Sequence, residues 1–506
     1  MFHGRTPLFR QMMKLLLQSM PESGGRRRFL KQTAMAGAGL MLPSCATTSR
    51  GPKRTVAIVG GGIAGLTAAW RLMNAGHEVH LYETRSRTGG RMFTRRNFND
   101  DGQFVELGAE LVDTNHKHII ALAKELGVKM QNLRRGEQGR DFVWLEERLR
   151  TDHDIPAAFK PLGAKMEADA DGLYDAEGGF TDKARELDRM SLAAYLKDRA
   201  HGVEPWVIQL LIAAYEPELG ARAERQSCLN LVDFINPDVS KGFEVFGDSD
   251  EAWRIEGGND TLPTVLLERM HGKISLHLDH RLEGIADKGG RLVLKFGTKG
   301  GVRAADYERV ILAIPFTVLR GVPGVFDLPL TSAKKRCIRE MGYGSNVKVF
   351  RSFKHRLWRD PVPGRDFICN GSVFAMEPTY QNVWETSRGQ PGSRGIITNL
   401  LGGRRGESYS EAMMSNYLDE LDAVFPGLKK AHDGKAAAMN WPKLPFALGS
   451  YSCPFVGQYT WIYDESPKPD LDGRLVFAGE HTSTVSPGFM NGGVESGERA
   501  AREAAA

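Results

Sequence analysis

Residues 55–83 read TVAIVGGGIAGLTAAWRLMNAGHEVHLYE, and this stretch decides the fold. TVAIV, residues 55–59, is a short continuous apolar run, the pattern of a strand buried on both faces of a parallel sheet. Gly60, Gly62 and Gly65 follow with the spacing G-x-G-x-x-G. Leu66 to Asn74 is predicted to be a helix ended by Gly76. HEVHLYE is a second strand with Glu83 at its end. Strand, glycines, helix, strand and acid in this order describe a dinucleotide site. Gly60 permits the tight turn, Gly62 admits a pyrophosphate to the backbone, and Gly65 lets helix and strand pack closely. The helix N-terminus then faces the phosphates, and Glu83 accepts hydrogen bonds from a ribose.

The chain has 506 residues, enough for two or three domains or one large composite domain. At 41% hydrophobic and 25% charged, its composition is that of an ordinary globular protein. Part of the net charge of +5 sits in one N-terminal basic run, and no basic run interleaved with aromatics argues for a nucleic-acid partner. Cys45, Cys228, Cys337, Cys369 and Cys453 are scattered, with no C-x-x-C pair, so no zinc or other metal site is expected. No apolar run has the length of a membrane span.

GRRRFLKQTAMAGAGLMLPSCATTSR, residues 25–50, has a basic start, a short apolar stretch and then small residues. That is a targeting pattern, set aside from the fold. Arg26 to Lys31 resembles a twin-arginine export signal, which implies the twin-arginine export machinery as a partner and a periplasmic or envelope-associated product. Leu42-Pro43-Ser44-Cys45 resembles a lipoprotein processing site, making Cys45 a candidate lipid anchor; cleavage by an ordinary signal peptidase, or none, are the alternatives.

After Glu83 come Arg85 and then Arg87-Thr88-Gly89-Gly90-Arg91. E-x-x-x-R-x-G-G-R after the glycine fingerprint resembles the flavin amine oxidase family, and it decides for FAD. Gly89 and Gly90 let the backbone pass close to the cofactor, and the arginines can neutralise its diphosphate. The far end agrees. RLVFAGEHTSTVSPGFMNGGVESGERAARE, residues 474–503, is similar to the family's C-terminal flavin motif, with a strand from Arg474 to Ala478 and a helix from Met490 to Arg502. The resemblance implies that Gly479, Glu480 and Met490 contact the flavin side, with Glu480 on the ribityl or phosphate region. FVELGAELVD (104–113), WRIEGGNDTLP (253–263) and RVILAIPF (309–316) resemble further family landmarks, and Leu282 matches a residue whose backbone meets the adenine.

The same resemblance supplies the catalytic expectations. GSNVKVFRSF, residues 344–353, reads as a strand in which Lys348 shares a face with Phe350. In the family, a lysine in such a strand, with a tryptophan some ten residues on (here Trp358), holds a water against flavin N5. A cation there stabilises charge developing during reoxidation by O2. Tyr451 and Phe489 match the two walls of an aromatic cage that orients the amine. Some members carry a cysteine tether at the position of Ser450, so the FAD is expected to be non-covalent; Cys453 lies three residues too late. At the position where many amino-acid oxidases carry a carboxylate-binding arginine stands Leu111, flanked by Glu110 and Asp113. These acids favour a cationic substrate, an amine, a polyamine or a basic side chain such as lysine or arginine; the alternative is that Glu110 bonds to backbone or flavin. The G-A-E-L form is also similar to bacterial amino-acid oxidases, so an L-amino acid stays open.

The expected fold class is α/β: a doubly wound, Rossmann-like parallel-sheet FAD-binding domain, discontinuous, with an inserted α+β substrate domain. Residues 52–120, 251–320 and 455–506 are assigned to the first, and 121–250 and 321–454 to the second. The expected activity is oxidative deamination with O2 reduced to H2O2. The alternatives are a flavin dehydrogenase or desaturase using another acceptor, and a non-catalytic FAD-binding envelope protein.

Overall fold

The computed structural model describes residues 53–135, 139–151, 153–233, 250–361 and 367–506. Residues 25–50, expected to be an export signal, and the candidate anchor Cys45 lie outside the described residues. Among the described residues no helix is long and apolar enough to cross a membrane.

The strand Thr55–Val59 lies at the centre of a five-stranded parallel sheet, as its uninterrupted apolar sequence requires. Glu78–Tyr82 pairs with one of its edges and Arg309–Leu312 with the other. Ser275–His277 and Leu475–Phe477 complete the two sides. The glycine motif therefore meets, in one sheet, strands more than 200 and 400 residues away in the chain. The first helix runs Ile63–Asn74, three residues earlier than expected. Gly62 is its extended N-cap, so Gly65 lies within the first turn and not ahead of it. On the other face of the dinucleotide region, Arg281–Lys288, Arg291–Thr298 and Gly301–Tyr307 form an antiparallel meander.

Core membership moves the expected domain boundaries. The helix Lys117–Leu126 straddles residue 120, and its Ile119, Leu122, Ala123 and Leu126 pack in one core with Val56, Ile58 and Leu66. Beyond residue 320, Val325, Leu328, Cys337 and Ile338 pack with Val59, Leu312 and Phe477. Both segments bury their apolar faces on the dinucleotide side, because that sheet offers the apolar partners.

The second region is built on a seven-stranded sheet. Its order is His432–Asn440, Val347–Phe353, Gly395–Leu401, Asn382–Glu385, Cys369–Ala375, Arg140–Leu145 and Arg148–Thr151. All pairs are antiparallel except Cys369–Ala375 with Arg140–Leu145. The helices Ile155–Ala170, Asp182–Asp188, Leu192–Arg199 and Pro205–Leu219 cover one end, where Val143, Leu145 and Phe374 join their core. Val347–Phe353 is an interior strand with both faces covered, Val347 and Val349 in one apolar cluster and Phe350 in another. Lys348 is thereby carried into the protein on the Phe350 face.

Candidate active site

At the dinucleotide end, Gly60 has φ +113°, and a Cβ there would lie 2.4 Å from the Ala313 oxygen. A Cβ on Gly90 would come within 3.0 Å of the Gly62 Cα, so two backbone stretches face each other with no side chain between them. Glu83 is buried and accepts from the Gly61 N–H at 2.8 Å. Its other oxygen accepts from the Arg85 backbone N–H at 3.0 Å and from Arg85 Nε at 3.1 Å. Burial, with Arg85 beside it, pushes the Arg87 guanidinium down to about 10. Leu282 follows His280, whose N–H donates to the Glu83 carbonyl at 2.9 Å, and packs in a core with Tyr82 and Phe296.

Glu480 closes the other side. It accepts from Arg91 Nη1 at 2.9 Å, from Ser452 Oγ at 2.7 Å and from the Gly488 N–H at 2.6 Å. Burial raises its carboxyl, but Arg91, His481 and Ser452 more than offset that and hold it below the usual carboxylate range. The expected flavin acid is thus also the joint of three chain segments. Gly479 donates to Ser496 Oγ at 3.0 Å, and buried Met490 opens the helix Met490–Ala505.

These residues fit FAD. The helices starting at Ile63 and Met490 carry no side-chain cap, which leaves N-terminal N–H groups for an anion. Arg85 Nη1 is buried without a hydrogen-bond partner among the described residues. The facing glycines admit a flat or charged group to the backbone. Ser450, at the tether position, is hydrogen-bonded through Oγ to Asn346 at 2.6 Å, and the Cys453 thiol is buried with its sulfur 3.8 Å from the Pro454 carbonyl. FAD is the cofactor, bound non-covalently.

Lys348 answers to three acceptors. Nζ donates to the Glu106 carbonyl at 3.2 Å, the Gly108 carbonyl at 2.9 Å and Glu110 Oε2 at 2.7 Å. Its side chain is 10% exposed, so this is an internal ammonium and not a solvated one. The second Glu110 oxygen accepts from Trp384 Nε1 at 3.1 Å. Trp358 does not reach Lys348 by any of these bonds; it donates to buried Glu385 at 2.8 Å.

Tyr451 donates to the Glu218 carbonyl at 2.8 Å, and the Phe489 ring packs 5.0 Å from that of His116. His116 lies 3.4 Å from Asp113 Oδ2, and Asp113 Oδ1 accepts from the Glu251 N–H at 2.7 Å. Both aromatic residues therefore adjoin one acidic cluster. Burial first, then Asp113 and Glu218, push the Glu251 carboxyl well up, and Glu110 adds to this.

Two expectations are corrected here. Glu110, expected as an acid for the substrate, has both oxygens engaged by Lys348 and Trp384. Asp113, also expected there, is buried and bonded to the Glu251 backbone beside His116, so it contributes charge and not an open ligand atom. Sequence reading missed Trp384, Glu218, Glu251 and Arg254. Arg254 is almost wholly buried, pushed down by that burial, and shares a small cavity with Glu110, Leu111 and Trp384. Trp384, Glu218 and Glu251 sit in no motif read from the sequence. The W-R-I-E-G-G stretch held the only signal, a charged residue in an apolar strand.

The chain is similar to the flavin-dependent L-tryptophan oxidase RebO of Lentzea aerocolonigenes, 28% identical over 90% of this chain and 98% of that protein. It is also similar to the nicotine dehydrogenase of Pseudomonas putida, 25% identical over 95% of this chain and 97% of that one. Among solved structures, cyclohexylamine oxidase from Brevibacterium oxydans superimposes with a TM-score of 0.75 at 19% identity, covering 90% of this chain and 99% of that one, a likeness of fold. Residues 63–505 match the family model for flavin-containing amine oxidoreductases, and the chain belongs to that family.

Proposed function

We propose that this protein is an FAD-dependent amine oxidase acting on a cationic amine. The substrate C–H and N–H are given up to leave an imine, water converts the imine to a carbonyl compound and ammonia, and O2 takes the two electrons and two protons as H2O2. FAD, when bound, supplies the two-electron acceptor between these halves. The observation that carries the reading is the buried Lys348 ammonium, fixed on the strand of the second sheet against the 106–110 segment of the dinucleotide side.

The residues divide the work. Gly60, Gly62, Gly65, Glu83, Arg85, Gly90 and Arg91 hold the cofactor from one side, and Gly479, Glu480 and Met490 from the other. Lys348 supplies a positive charge where negative charge develops during reoxidation, in surroundings that screen it little. Tyr451 and Phe489 orient the amine. Asp113 and Glu218 make their surroundings negative, as the raised Glu251 carboxyl beside them reflects, which favours entry of a cation. Arg134 is the cation that counters Glu251 among the described residues.

A second reading has its own support. The likeness to an L-tryptophan oxidase favours an L-amino acid, and Arg254 and Arg388, which line the cavity beside Glu110, are guanidiniums at hand for a carboxylate. The likeness to a nicotine dehydrogenase bears on the acceptor. The twin-arginine pattern at Arg26–Lys31 supports export with FAD already bound.

Anaerobic bleaching of the flavin absorbance by a panel of amines, diamines and L-amino acids tests the reading. Bleaching by amines, with rapid recovery and H2O2 on admitting air, is expected. Bleaching by L-amino acids alone would replace it with the second reading. Bleaching reversed only by an artificial acceptor would make the protein a dehydrogenase, and no bleaching at all would remove the catalytic reading.

A further inference from the structure

We propose that Glu110 is a positioning residue for Lys348 and not a ligand of the substrate. The inference rests on the oxidase reading above and deepens it. A lysine ammonium has three N–H donors and no acceptor. The Glu106 carbonyl, the Gly108 carbonyl and Glu110 Oε2 account for all three. Glu110 Oε1 is held in turn by the Trp384 indole N–H, so the carboxylate cannot rotate away from the amine without losing two bonds.

The Trp384 ring also lies beside the ammonium, with Nζ 5.3 Å from its centroid. Trp384 itself is well anchored. It lies on the strand Asn382–Glu385, and the adjoining Glu385 is buried beneath Arg356 at 3.0 Å, Trp358 at 2.8 Å and Ser387 at 2.9 Å. The lysine is therefore located by the 106–110 segment through two carbonyls and Glu110, and Trp384 of its own sheet fixes Glu110 in turn.

Two chemical consequences follow. The carboxylate lowers the cost of keeping a buried cation in place, and without it the amine is free to leave this position. And a group that takes a hydrogen bond from Nζ during turnover must displace one of its present acceptors, the longest being the Glu106 carbonyl at 3.2 Å. Each Glu110 oxygen already accepts a hydrogen bond and the side chain is 5% exposed, so a substrate ammonium would meet a carboxylate whose charge is already shared with the lysine.

The test uses holoprotein of the wild type, Glu110→Asp, Glu110→Gln and Trp384→Phe. The flavin is reduced by light without any amine, and its reoxidation by O2 is followed in a stopped-flow mixer. Reoxidation about tenfold slower is expected for Glu110→Gln, with Glu110→Asp within about threefold of wild type because the charge is kept. The KM for whichever amine reduces the wild type is expected to be unchanged in Glu110→Gln. A raised KM with normal reoxidation would overturn the proposal and return Glu110 to the substrate.

Should Glu110→Gln fail to fold or to hold FAD, Trp384→Phe keeps the carboxylate and removes the indole N–H together with part of the ring. Reoxidation slowed by about threefold is then expected, and an unchanged rate overturns the proposal. Sulfite titration of the oxidised flavin reads the same electric field with neither amine nor oxygen. Wild-type affinity in Glu110→Asp but not in Glu110→Gln supports the pair; equal affinity in all three overturns it, even if no amine is ever found to be a substrate.

Discussion

Arg91 and Glu480 form an ion pair across the chain, Nη1 to Oε1 at 2.9 Å, and the same nitrogen donates to the Ser450 carbonyl at 2.7 Å. One arginine thus joins the loop after the second strand, the segment that carries Tyr451, and the start of the C-terminal flavin motif.

Replacing Arg91 by Gln leaves Glu480 buried with its counter-charge removed. Burial then dominates and raises the folded-state pKa of that carboxyl above its unfolded value. A raised carboxyl costs least in acid, and its cost grows as pH climbs through the unfolded value of about 4.3. The expected loss of stability is about 3 kcal/mol at pH 8 and smaller at pH 5. Thermal unfolding at the two pH values checks this; an equal loss at both would mean that Arg91 acts through the Ser450 carbonyl alone.

Gly65→Ala places a Cβ 1.9 Å from the Gly60 oxygen, which is backbone and cannot rotate aside. The helix Ile63–Asn74 must then lift from the strand before it. The expected cost is about 1–3 kcal/mol, together with loss of FAD during gel filtration. A variant that keeps full flavin content and wild-type stability would show that this turn is less constrained than the structure requires.

Lys334 is buried on the side of the dinucleotide sheet where Phe477 lies, 4.1 Å from its amine, and Nζ donates to the Glu465 carbonyl at 3.0 Å and the Ser466 carbonyl at 2.5 Å. Burial pushes the amine down to about 7, against the opposing pull of Cys337 and Asp470. Since the folded value lies below the unfolded one of about 10.4, the unfolded chain holds the extra proton between them. Stability therefore rises with pH across that interval through this group. In Lys334→Met that rise is expected to disappear, at a cost of about 1–3 kcal/mol for the two carbonyls left without a donor. Urea unfolding at pH 7 and pH 9.5 makes the comparison, and parallel shifts in the two proteins would sink the prediction.

The parallel strand at 55–59, its glycines and Glu83 could be read directly because each is a local requirement: a tight turn, a close approach, an acid at a strand end. Lys348 is legible as an odd residue in an apolar strand and through the family resemblance. Its partners are not, since Glu106, Gly108 and Glu110 lie some 240 residues earlier and two of them contribute only backbone oxygen, which has no signature in sequence. Glu110 and Asp113 point to a cationic substrate only through their place beside Leu111 at the family's arginine position; the groups that engage them, Trp384, Lys348 and the Glu251 N–H, come from other segments. The boundaries at 120 and 320 failed for a related reason. Which sheet the helices Lys117–Leu126 and Ser332–Glu340 cover is a matter of packing between distant residues, and periodicity shows only that each has a face to bury.

The three bonds from the Lys348 amine to the 106–110 segment have a mechanical meaning as well. They cross from an interior strand of one sheet to the segment attached to the other, so the amine is a rivet between the two halves of the molecule. Separating the halves at that point would expose an ammonium and a carboxylate together and strip two backbone oxygens of their donor. All three bonds would have to break together for the walls to part there, so this one amine holds them in register.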